Sequence, residues 1–360
     1  MSPSRQVALA VLLAALVCAV RPAAAERPVS KRRRAAAMGA AVFPGVLAHG
    51  AGHFVLGEKT VARRLLVGEG IGLGVAAAGA VPLALTGASR HYAAPPIAMV
   101  VGGVGMFALS WAADLYGATG AAGPRAPPEA APVELELGYG YVYDPRFDYR
   151  NFAVTAASVE LGWFRVAPVA WIALGDDNQR LRLEGAYRLA GDGGMRATGD
   201  ASHFEIQAAA THHRYPDDGF AVETLEASVA GRLDMARVGD SLAGSFADLS
   251  LGIGSELTNY YAPGAGADLG EMLLGRFGYG VAFGCPGGTH GEASIYYDHR
   301  RDTFTGGISP GTGPGSGFIG LFGVETRVHL GSRWGVRARF EQGAARVFSL
   351  GILTRFGDTP

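Results

Sequence analysis

The segment Glu-Leu-Glu-Leu-Gly-Tyr-Gly-Tyr-Val-Tyr-Asp, residues 134–144, alternates polar or small side chains with apolar ones. Leu135 and Leu137 fall on one face of this segment, whereas Glu134 and Glu136 fall on the other. Successive side chains of a β-strand point to opposite faces of the sheet. The segment is therefore predicted to form a strand with one apolar and one polar wall.

The same alternation recurs as far as residue 356, with breaks rich in glycine and aspartate between the segments. The predicted strands lie near residues 134–143, 150–164, 168–174, 181–190, 202–213, 220–234, 245–259, 272–284, 288–301, 317–330, 334–342 and 345–356. Twelve such strands predict a mainly β fold, an antiparallel transmembrane β-barrel that is apolar toward lipid and polar toward its lumen. A soluble β-sandwich or barrel also alternates, but it would need fewer aromatic side chains on its surface.

Charged side chains of both signs occupy the polar faces of the predicted strands. The residues predicted to face the lumen are Glu134, Glu136, Arg182, Glu184, Arg188, Glu325, Arg327, Arg337, Arg339 and Glu341. Such a mixture would pair across a narrow lumen and largely block flow. Aromatic residues near the strand ends are predicted to lie at the membrane interface. These are Trp163, Trp171, Trp334, Tyr260 and Tyr261.

The last predicted strand carries an independent signal. Ser349–Phe356 resembles the C-terminal assembly signal of outer-membrane proteins, which has a polar residue, a glycine, a hydrophobic residue and a final aromatic residue. The segment departs from that pattern at Thr354 and is followed by four more residues. The resemblance implies insertion by the outer-membrane assembly machinery.

The N-terminal part divides into three regions. Residues 1–25 form a predicted signal peptide, with Arg5, an apolar run and a small-residue cleavage site. Residues 26–118 form a hydrophobic helical hairpin region, and residues 119–132 form a linker rich in proline and glycine, so that the barrel domain comprises residues 133–360. Signal cleavage would leave Cys285 as the only cysteine, which excludes an intrachain disulfide.

Two uncharged segments, Gly70–Ser89 and Ala93–Ala113, are each long enough to span a bilayer as a helix. Pro95 and Pro96 are predicted to lie in the turn between them. Two small-xxx-small pairs suit close helix packing. They are formed by Gly68 with Gly72 and by Gly70 with Gly74.

Residues 43–66 carry a proline-glycine pair, a glycine-histidine pair and a later glycine. This pattern resembles the opening of small two-helix bacterial membrane modules, and the resemblance implies a membrane-embedded hairpin. His49 and His53 lie four residues apart, a spacing that could suit a metal, with Glu58 and Glu69 as the nearest acids. Polar residues at a membrane entry are the favoured explanation, so no metal or cofactor is predicted.

Two further motifs could carry catalysis. Gly239-Asp240-Ser241-Leu242 spells the signature of a lipase and esterase family, but no later Asp-x-x-His block follows it. A turn between strands explains these residues better. If the first strand runs outward, the outer rim carries His212, His213, Asp298 and His299, which could act as acid and base on a lipid or sugar. A charged rim that contacts lipopolysaccharide phosphates is the favoured alternative.

The formal net charge of −1 gives no reason to expect a nucleic-acid partner, and the charged fraction of 18% is low for a soluble domain. The predicted function is a porin-like, glycine-rich outer-membrane barrel of a Gram-negative bacterium, with a structural or narrow channel-like role and an unknown solute. Its partners would be the lipid bilayer and lipopolysaccharide, and its oligomeric state is left open. Enzyme activity is undecided, and a non-enzymatic role is favoured.

Two alternatives remain open. One is a hydrolase at the rim that acts on outer-membrane lipid or glycan. The other is a periplasmic β domain that is anchored in the inner membrane and scaffolds a partner, because strongly apolar helices normally stop in the inner membrane.

Overall fold

The computed structural model describes residues 29–86, 94–123, 131–144, 150–191, 200–217, 219–264, 266–284, 288–299, 308–309, 313–314 and 320–357. Within these residues the chain forms a closed antiparallel barrel of twelve strands, preceded by four helices. This confirms the predicted fold. The predicted signal peptide lies outside the described residues, as does most of the loop after the ninth strand.

The helices are α1 (Lys31–Val42), α2 (Ala51–Leu56), α3 (Lys59–Thr86) and α4 (Ala94–Thr119). The barrel strands are β1 (Val133–Tyr143), β2 (Asn151–Leu161), β3 (Phe164–Ala173), β4 (Gln179–Gly191), β5 (His203–Tyr215), β6 (Phe220–Asp234), β7 (Ser245–Tyr260), β8 (Ala267–Gly284), β9 (Thr289–Asp298), β12 (Leu321–Leu330), β13 (Trp334–Gln342) and β14 (Arg346–Phe356). Two short strands, β10 (Ile308–Ser309) and β11 (Gly313–Pro314), pair with each other in a separate two-stranded sheet.

The barrel closes where β1 pairs with β14, in a register that runs from Val133 opposite Phe356 to Tyr143 opposite Arg346. Both ends of the barrel chain therefore lie at one rim, together with the turns that follow β2, β4, β6, β8 and β12. We call this rim the terminal end and the opposite rim the loop end. The even number of strands is what brings the two ends to the same rim.

All twelve predicted strands are present, and the differences lie at their ends. A turn at Gly162 and Trp163 separates β2 from β3, so the predicted strands 150–164 and 168–174 were wrongly divided. Gly162 has a φ of 66°, a left-handed conformation that glycine adopts without steric cost. Strand β8 begins at Ala267 rather than near residue 272, because the long β7 offers it partners as far as Asn259.

The two long helices extend further than the uncharged segments suggested. Helix α3 continues through Pro82, and Pro95 and Pro96 lie in the first turn of α4 rather than in the predicted turn. Proline fits the first helical turn because the amide hydrogen that it lacks would have no partner there. Both helices are long and apolar enough to span a bilayer.

Helices α3 and α4 form an antiparallel hairpin with a glycine-lined interface. Gly79 faces the carbonyl of Pro96, and Gly72 faces Gly103. A Cβ added at Gly103 would lie 2.4 Å from the amide nitrogen of Ala76. No side chain fits between backbones at this separation. Of the two predicted glycine pairs, only the pair that contains Gly72 faces α4, because an added Cβ at Gly70 or Gly74 meets nothing within 4 Å.

The hairpin packs against the outer wall of the barrel at β7 and β8. Gly105 of α4 lies against the ring of Phe277, and Val101 lies against Gly275. The neighbouring Arg276 points to the opposite side of the wall, where its guanidinium lies 4.3 Å from the ring centre of Tyr296. Because side chains alternate along a strand, Gly275 and Phe277 lie on the outer face of the wall. Helix α4 covers this outer face at β8, whereas on other strands the outer face is exposed.

Candidate functional site

Ion pairs join strands that are not neighbours in the barrel, and they can do so only across its interior. Arg337 of β13 donates to Glu136 of β1 at 2.9 Å and also to Glu325 of β12 at 2.9 Å. Arg232 of β6 reaches Glu292 of β9 at 3.0 Å. Strands β7 and β8 lie between the two members of this last pair. These side chains therefore lie inside the barrel.

Each of the ten residues predicted to face the lumen has a charged or aromatic partner. Glu134 binds Arg355 at 3.0 Å and Arg327 at 3.5 Å. The remaining pairs are Arg182 with Glu226 at 2.8 Å, Glu184 with Arg165 at 3.2 Å, Arg188 with Glu160 at 3.7 Å, and Arg339 with Glu341 at 3.8 Å. Glu341 also accepts a hydrogen bond from Tyr296 at 2.7 Å. The charges of the interior are thus largely compensated locally.

Apolar side chains fill part of the interior near the loop end. We call them the loop-end cluster: Val142, Phe152, Val154, Trp171, Ala173, Tyr215, Val222, Ala345 and Val347. The prediction that Trp171 lies at the membrane interface is wrong. Its ring is buried, rests over Gly140 two strands away, and lies 5.6 Å from the guanidinium of Arg339 across the interior.

The four residues predicted to form a site at the rim do not form a single centre. His212 and His213 follow each other on β5 and point to opposite sides of the wall. His213 is buried inside, with Nε2 2.9 Å from Oδ1 of Asn178 and its ring stacked on Tyr215. His212 lies 3.2 Å from Glu223 on the outer face. Neighbours on one strand cannot act on one substrate from opposite faces.

The other two rim candidates lie at the end of β9. Asp298 is buried, and His299 contacts the hydroxyl of Tyr297 through Nδ1 at 2.9 Å. The charged residues 300–302 that follow them in the sequence lie outside the described residues. The contacts of His213 and His299 hold aromatic side chains in place at the loop end.

A polar cluster, buried except for the half-buried Glu58, lies where the hairpin meets the terminal end of the barrel. We call it the hairpin-base cluster: His49, His53, Glu58, Glu69, Ser110, Asp114 and Ser241. Asp114 of α4 accepts the Nδ1 hydrogen of His53 at 2.7 Å and the amide hydrogens of Gly52 and His53 at 3.1 and 3.2 Å. One carboxylate thus fixes the start of α2.

The second half of this cluster fixes the turn between α1 and α2. The amide of His49 donates to Glu69 at 2.8 Å, and its Nδ1 lies 2.5 Å from the hydroxyl of Ser110. That hydroxyl donates to the carbonyl of Phe107 at 3.0 Å, so His49 is the donor to Ser110. The cluster therefore joins the turn to both long helices.

The hairpin-base cluster also joins the helices to the barrel. Ser241 lies in the turn between β6 and β7, as the sequence predicts for this motif, and its hydroxyl donates to Glu58. Beside it, Arg64 of α3 donates to the carbonyl of Val238 at 2.7 Å. The esterase-like motif thus serves as a docking point for the hairpin.

The same turn is fixed to the preceding one by a salt bridge. Arg237 contacts Asp200 at 2.5 Å. Although partial burial raises the pKa of Asp200, hydrogen bonds from Ser202 and Arg237 hold this pKa below its usual range. The carboxylate is therefore charged at neutral pH, and the salt bridge holds the two turns together.

The geometry of the cluster suits packing better than catalysis or metal binding. The hydroxyl of Ser241 donates its hydrogen bond to Glu58 and not to His53. A serine that acts as a nucleophile with histidine as its base would donate to that histidine. An added Cβ at Gly117 would lie 2.2 Å from Nε2 of His53, so the helix backbone takes the space that a metal would need. Within the described residues no three histidine, cysteine or acidic side chains are arranged for a metal.

Sequence reasoning treated the histidines of residues 43–66 and the motif at 239–242 as separate features and did not single out Asp114. The available signal was an aspartate in an otherwise uncharged helix. A charged side chain at such a position needs a buried partner.

No protein-family model matches the chain, and no curated protein matches it either. Solved structures that it resembles include a KdgM porin, with 6% identity and a TM-score of 0.36 over 62% of this chain and 99% of that one. The Acinetobacter baumannii outer membrane protein Omp33 shows 13% identity and a TM-score of 0.32 over 63% and 98% of the two chains. The translocator domain of the Neisseria meningitidis autotransporter NalP shows 10% identity and a TM-score of 0.35 over 64% and 90%.

TM-scores below 0.5 carry no argument about activity, and the assignment of a closed twelve-stranded barrel rests on the strand pairing of this chain.

Proposed function

We propose that this protein is an outer-membrane β-barrel of a Gram-negative bacterium, with a structural or narrow channel-like role and a lumen that is closed by side-chain packing at rest. The observation that carries this proposal is the loop-end cluster, which packs side chains from six strands against each other inside the barrel. Beneath this cluster, compensated charges cross the lumen. A solute would have to displace both layers to pass.

The outer wall supports a lipid environment. Large apolar side chains that alternate with the interior charges are exposed around the wall, among them Leu137, Leu183 and Leu225. A groove of about 1160 Å³ runs around the outer surface of the wall from β13 through β1 to β6, and outward-facing side chains form most of its lining. Water in contact with this surface is unfavourable at about 25 cal/mol per Å² of apolar area, whereas acyl chains cover it without that cost.

The docked hairpin argues against a periplasmic β domain with an inner-membrane anchor. Helix α4 runs along β7 and β8, from Val101 beside Gly275 to Tyr116, whose ring lies 6.2 Å from that of Tyr279. An apolar helix that is packed along a strand must share the strand's environment. Barrel and hairpin therefore belong to the same bilayer.

The arrangement of the rim does not favour a hydrolase, because His212 and His213 point to opposite sides of the wall. The interior charges favour a closed resting state instead. Removing one partner of a buried ion pair typically costs about 3–5 kcal/mol, so a large solute that broke several pairs would meet a high barrier.

Single-channel recording in planar bilayers tests the proposal. We expect the full chain to insert with little or no steady conductance, and we expect Phe152→Ala/Trp171→Ala to open discrete conductance steps because the cluster loses two of its three aromatic rings. Ile172→Ala is the matched control, since Ile172 follows Trp171 on β3 and is exposed on the outer face. A steady conductance of the unchanged chain equal to that of the double variant would contradict the closed lumen.

A further inference from the structure

The described cations of the helical region lie at a single end of it. Residues 29–123 include Lys31, Arg32, Arg33, Arg34, Lys59, Arg63 and Arg64. They occupy the start of α1 and the first turns of α3, and the described part of the region carries no lysine or arginine further up the hairpin. Among the described residues, none of these cations forms an ion pair with a carboxylate. The three acids of the region, Glu58, Glu69 and Asp114, belong to the hairpin-base cluster.

Contacts bring the two groups of cations to the terminal end of the barrel. Arg33 donates to the carbonyl of Val55 at 2.8 Å, which joins the start of α1 to the end of α2, just before Lys59. Arg64 binds the turn between β6 and β7. Lys31, Arg32, Arg33, Lys59 and Arg63 remain exposed. We call these five residues the base cations.

Above the base cations the exposed surface becomes apolar. Helix α1 rises along α4 from Arg34, beside Gly120, to Ala41, whose carbonyl accepts a hydrogen bond from Trp111 at 3.0 Å. The chain then turns and descends through α2. The upper part of this segment exposes Met38, Val42, Phe43 and Leu47, each between 46% and 71% accessible.

The spacing of charge and apolar surface matches a membrane interface. Met38 follows Lys31 by seven residues, which is about 10 Å along a helix. The headgroup layer of a bilayer is of the same order, about 5–8 Å on each side. Exposed cations at the height of the headgroups, below apolar side chains at the height of the acyl chains, are the arrangement of an interfacial lipid-binding element.

We propose that the base cations bind the phosphate groups of anionic phospholipids in the leaflet at the terminal end of the barrel. The inference rests on the proposed function, since it requires the barrel and the hairpin to lie in a membrane. Five exposed cations without carboxylate partners among the described residues attract negative headgroups, and each one near an anionic surface changes partitioning by about fivefold.

The test compares two matched double variants of the full chain. R32Q/R63Q removes two base cations, and R214Q/R346Q removes two exposed cations at the loop end. Each protein in neutral detergent is titrated with phosphatidylglycerol or with phosphatidylcholine, and bound lipid is counted by native mass spectrometry. We expect the unchanged chain to prefer phosphatidylglycerol, R32Q/R63Q to lose about 25-fold of that preference, and R214Q/R346Q to keep it.

Salt and free phosphate separate the possible sources of binding. Raising the salt to about 0.5 M should reduce the preference, because exposed charges are screened beyond a few ångströms at that ionic strength. An equal preference in both double variants would overturn the assignment to the base cations. Displacement of the lipid by inorganic phosphate at constant ionic strength would overturn the assignment to lipid headgroups.

Gel mobility before and after boiling, measured on the same samples, distinguishes a failure of this inference from a failure of the proposed function. A folded barrel in the unchanged chain without any preference for phosphatidylglycerol would overturn only the inference about the base cations. Absence of a folded barrel in the unchanged chain would remove the proposed function itself.

Discussion

At the scale of single residues, Asp114 is the charged group on which the helical region depends most. Its side chain is fully buried and accepts three hydrogen bonds, all from Gly52 and His53. A buried acceptor with three donors leaves three unsatisfied groups when it is removed, and each costs about 1–3 kcal/mol. One side chain of α4 therefore contributes a large part of the local stability of α1 and α2.

We expect Asp114→Ala to release α1 and α2 from the hairpin while the barrel stays folded. The expected loss of local stability is about 3–5 kcal/mol, because both amide groups and the imidazole hydrogen lose their acceptor. Limited trypsin digestion of the detergent-solubilised protein reports this as faster cleavage after Arg34. Ser241→Ala, which removes a single hydrogen bond to Glu58, should accelerate cleavage much less. Equal cleavage rates in Asp114→Ala and the unchanged chain would contradict this role.

At the scale of elements, the hairpin is assembled through glycine on two faces of α4. Gly103 allows α3 to approach on one side, and Gly105 accommodates Phe277 of the barrel on the other. Apolar burial contributes little to helix association in lipid, where acyl chains are as apolar as leucine, so close backbone packing must supply the attraction. Small residues therefore decide where the hairpin docks.

Gly103→Ala tests this packing. We expect it to weaken the α3–α4 interface by about 1–3 kcal/mol, since the new methyl group would meet backbone atoms that cannot move aside. Gly70→Ala is the control, because its added Cβ meets no atom within 4 Å. Disulfide trapping between cysteines introduced into the two helices measures the interface. A similar trapping yield in both variants would show that Gly103 is not part of the contact.

The strands were predictable from the sequence because their signal is local. The alternation that begins with Leu135 and Leu137 needs no knowledge of the partner strand, and all twelve segments appear in the structure. The turn at Gly162 was misplaced because two short strands that meet at a tight turn share one continuous pattern. Trp171 was assigned to the membrane interface because ring chemistry alone does not distinguish the inner from the outer face of the wall.

Docking of the hairpin could not be predicted in the same way. It depends on which of twelve outer faces receives α4, and the small residues involved, such as Gly105 and Gly275, are common throughout this glycine-rich chain. The hairpin-base cluster was hidden for a related reason. Asp114, His53 and Ser241 are distant in sequence, and only the folded chain brings them together.

At the scale of the whole molecule, the barrel is closed twice, by backbone pairing of β1 with β14 and by charges that cross its interior. Arg337 joins β13 to β1 and β12 through Glu136 and Glu325. A cationic hub of this kind compensates two carboxylates at once. Its removal leaves both of them inside the barrel without their principal cation.

We expect Arg337→Met to lower the temperature at which the folded, faster-migrating gel band converts to the unfolded one, with a loss of about 3–5 kcal/mol of stability. Arg346→Met, at an exposed position of the loop end, should leave this temperature unchanged. Adding Glu136→Gln and Glu325→Gln to Arg337→Met should restore much of the loss, because no uncompensated charge then remains at the hub. An unchanged conversion temperature in Arg337→Met would contradict the role of the hub.

The docking of α4 on β8 has an evolutionary consequence. Elsewhere on the outer wall a side chain meets fluid lipid, which accepts any apolar shape, so those positions are free to drift independently. Positions 105 and 277 instead share one fixed volume, as do positions 101 and 275. In an alignment of relatives that keep the hairpin, we expect these two pairs to exchange large and small residues in concert. In relatives that have lost the hairpin, the coupling should vanish and positions 275 and 277 should drift as freely as the rest of the wall.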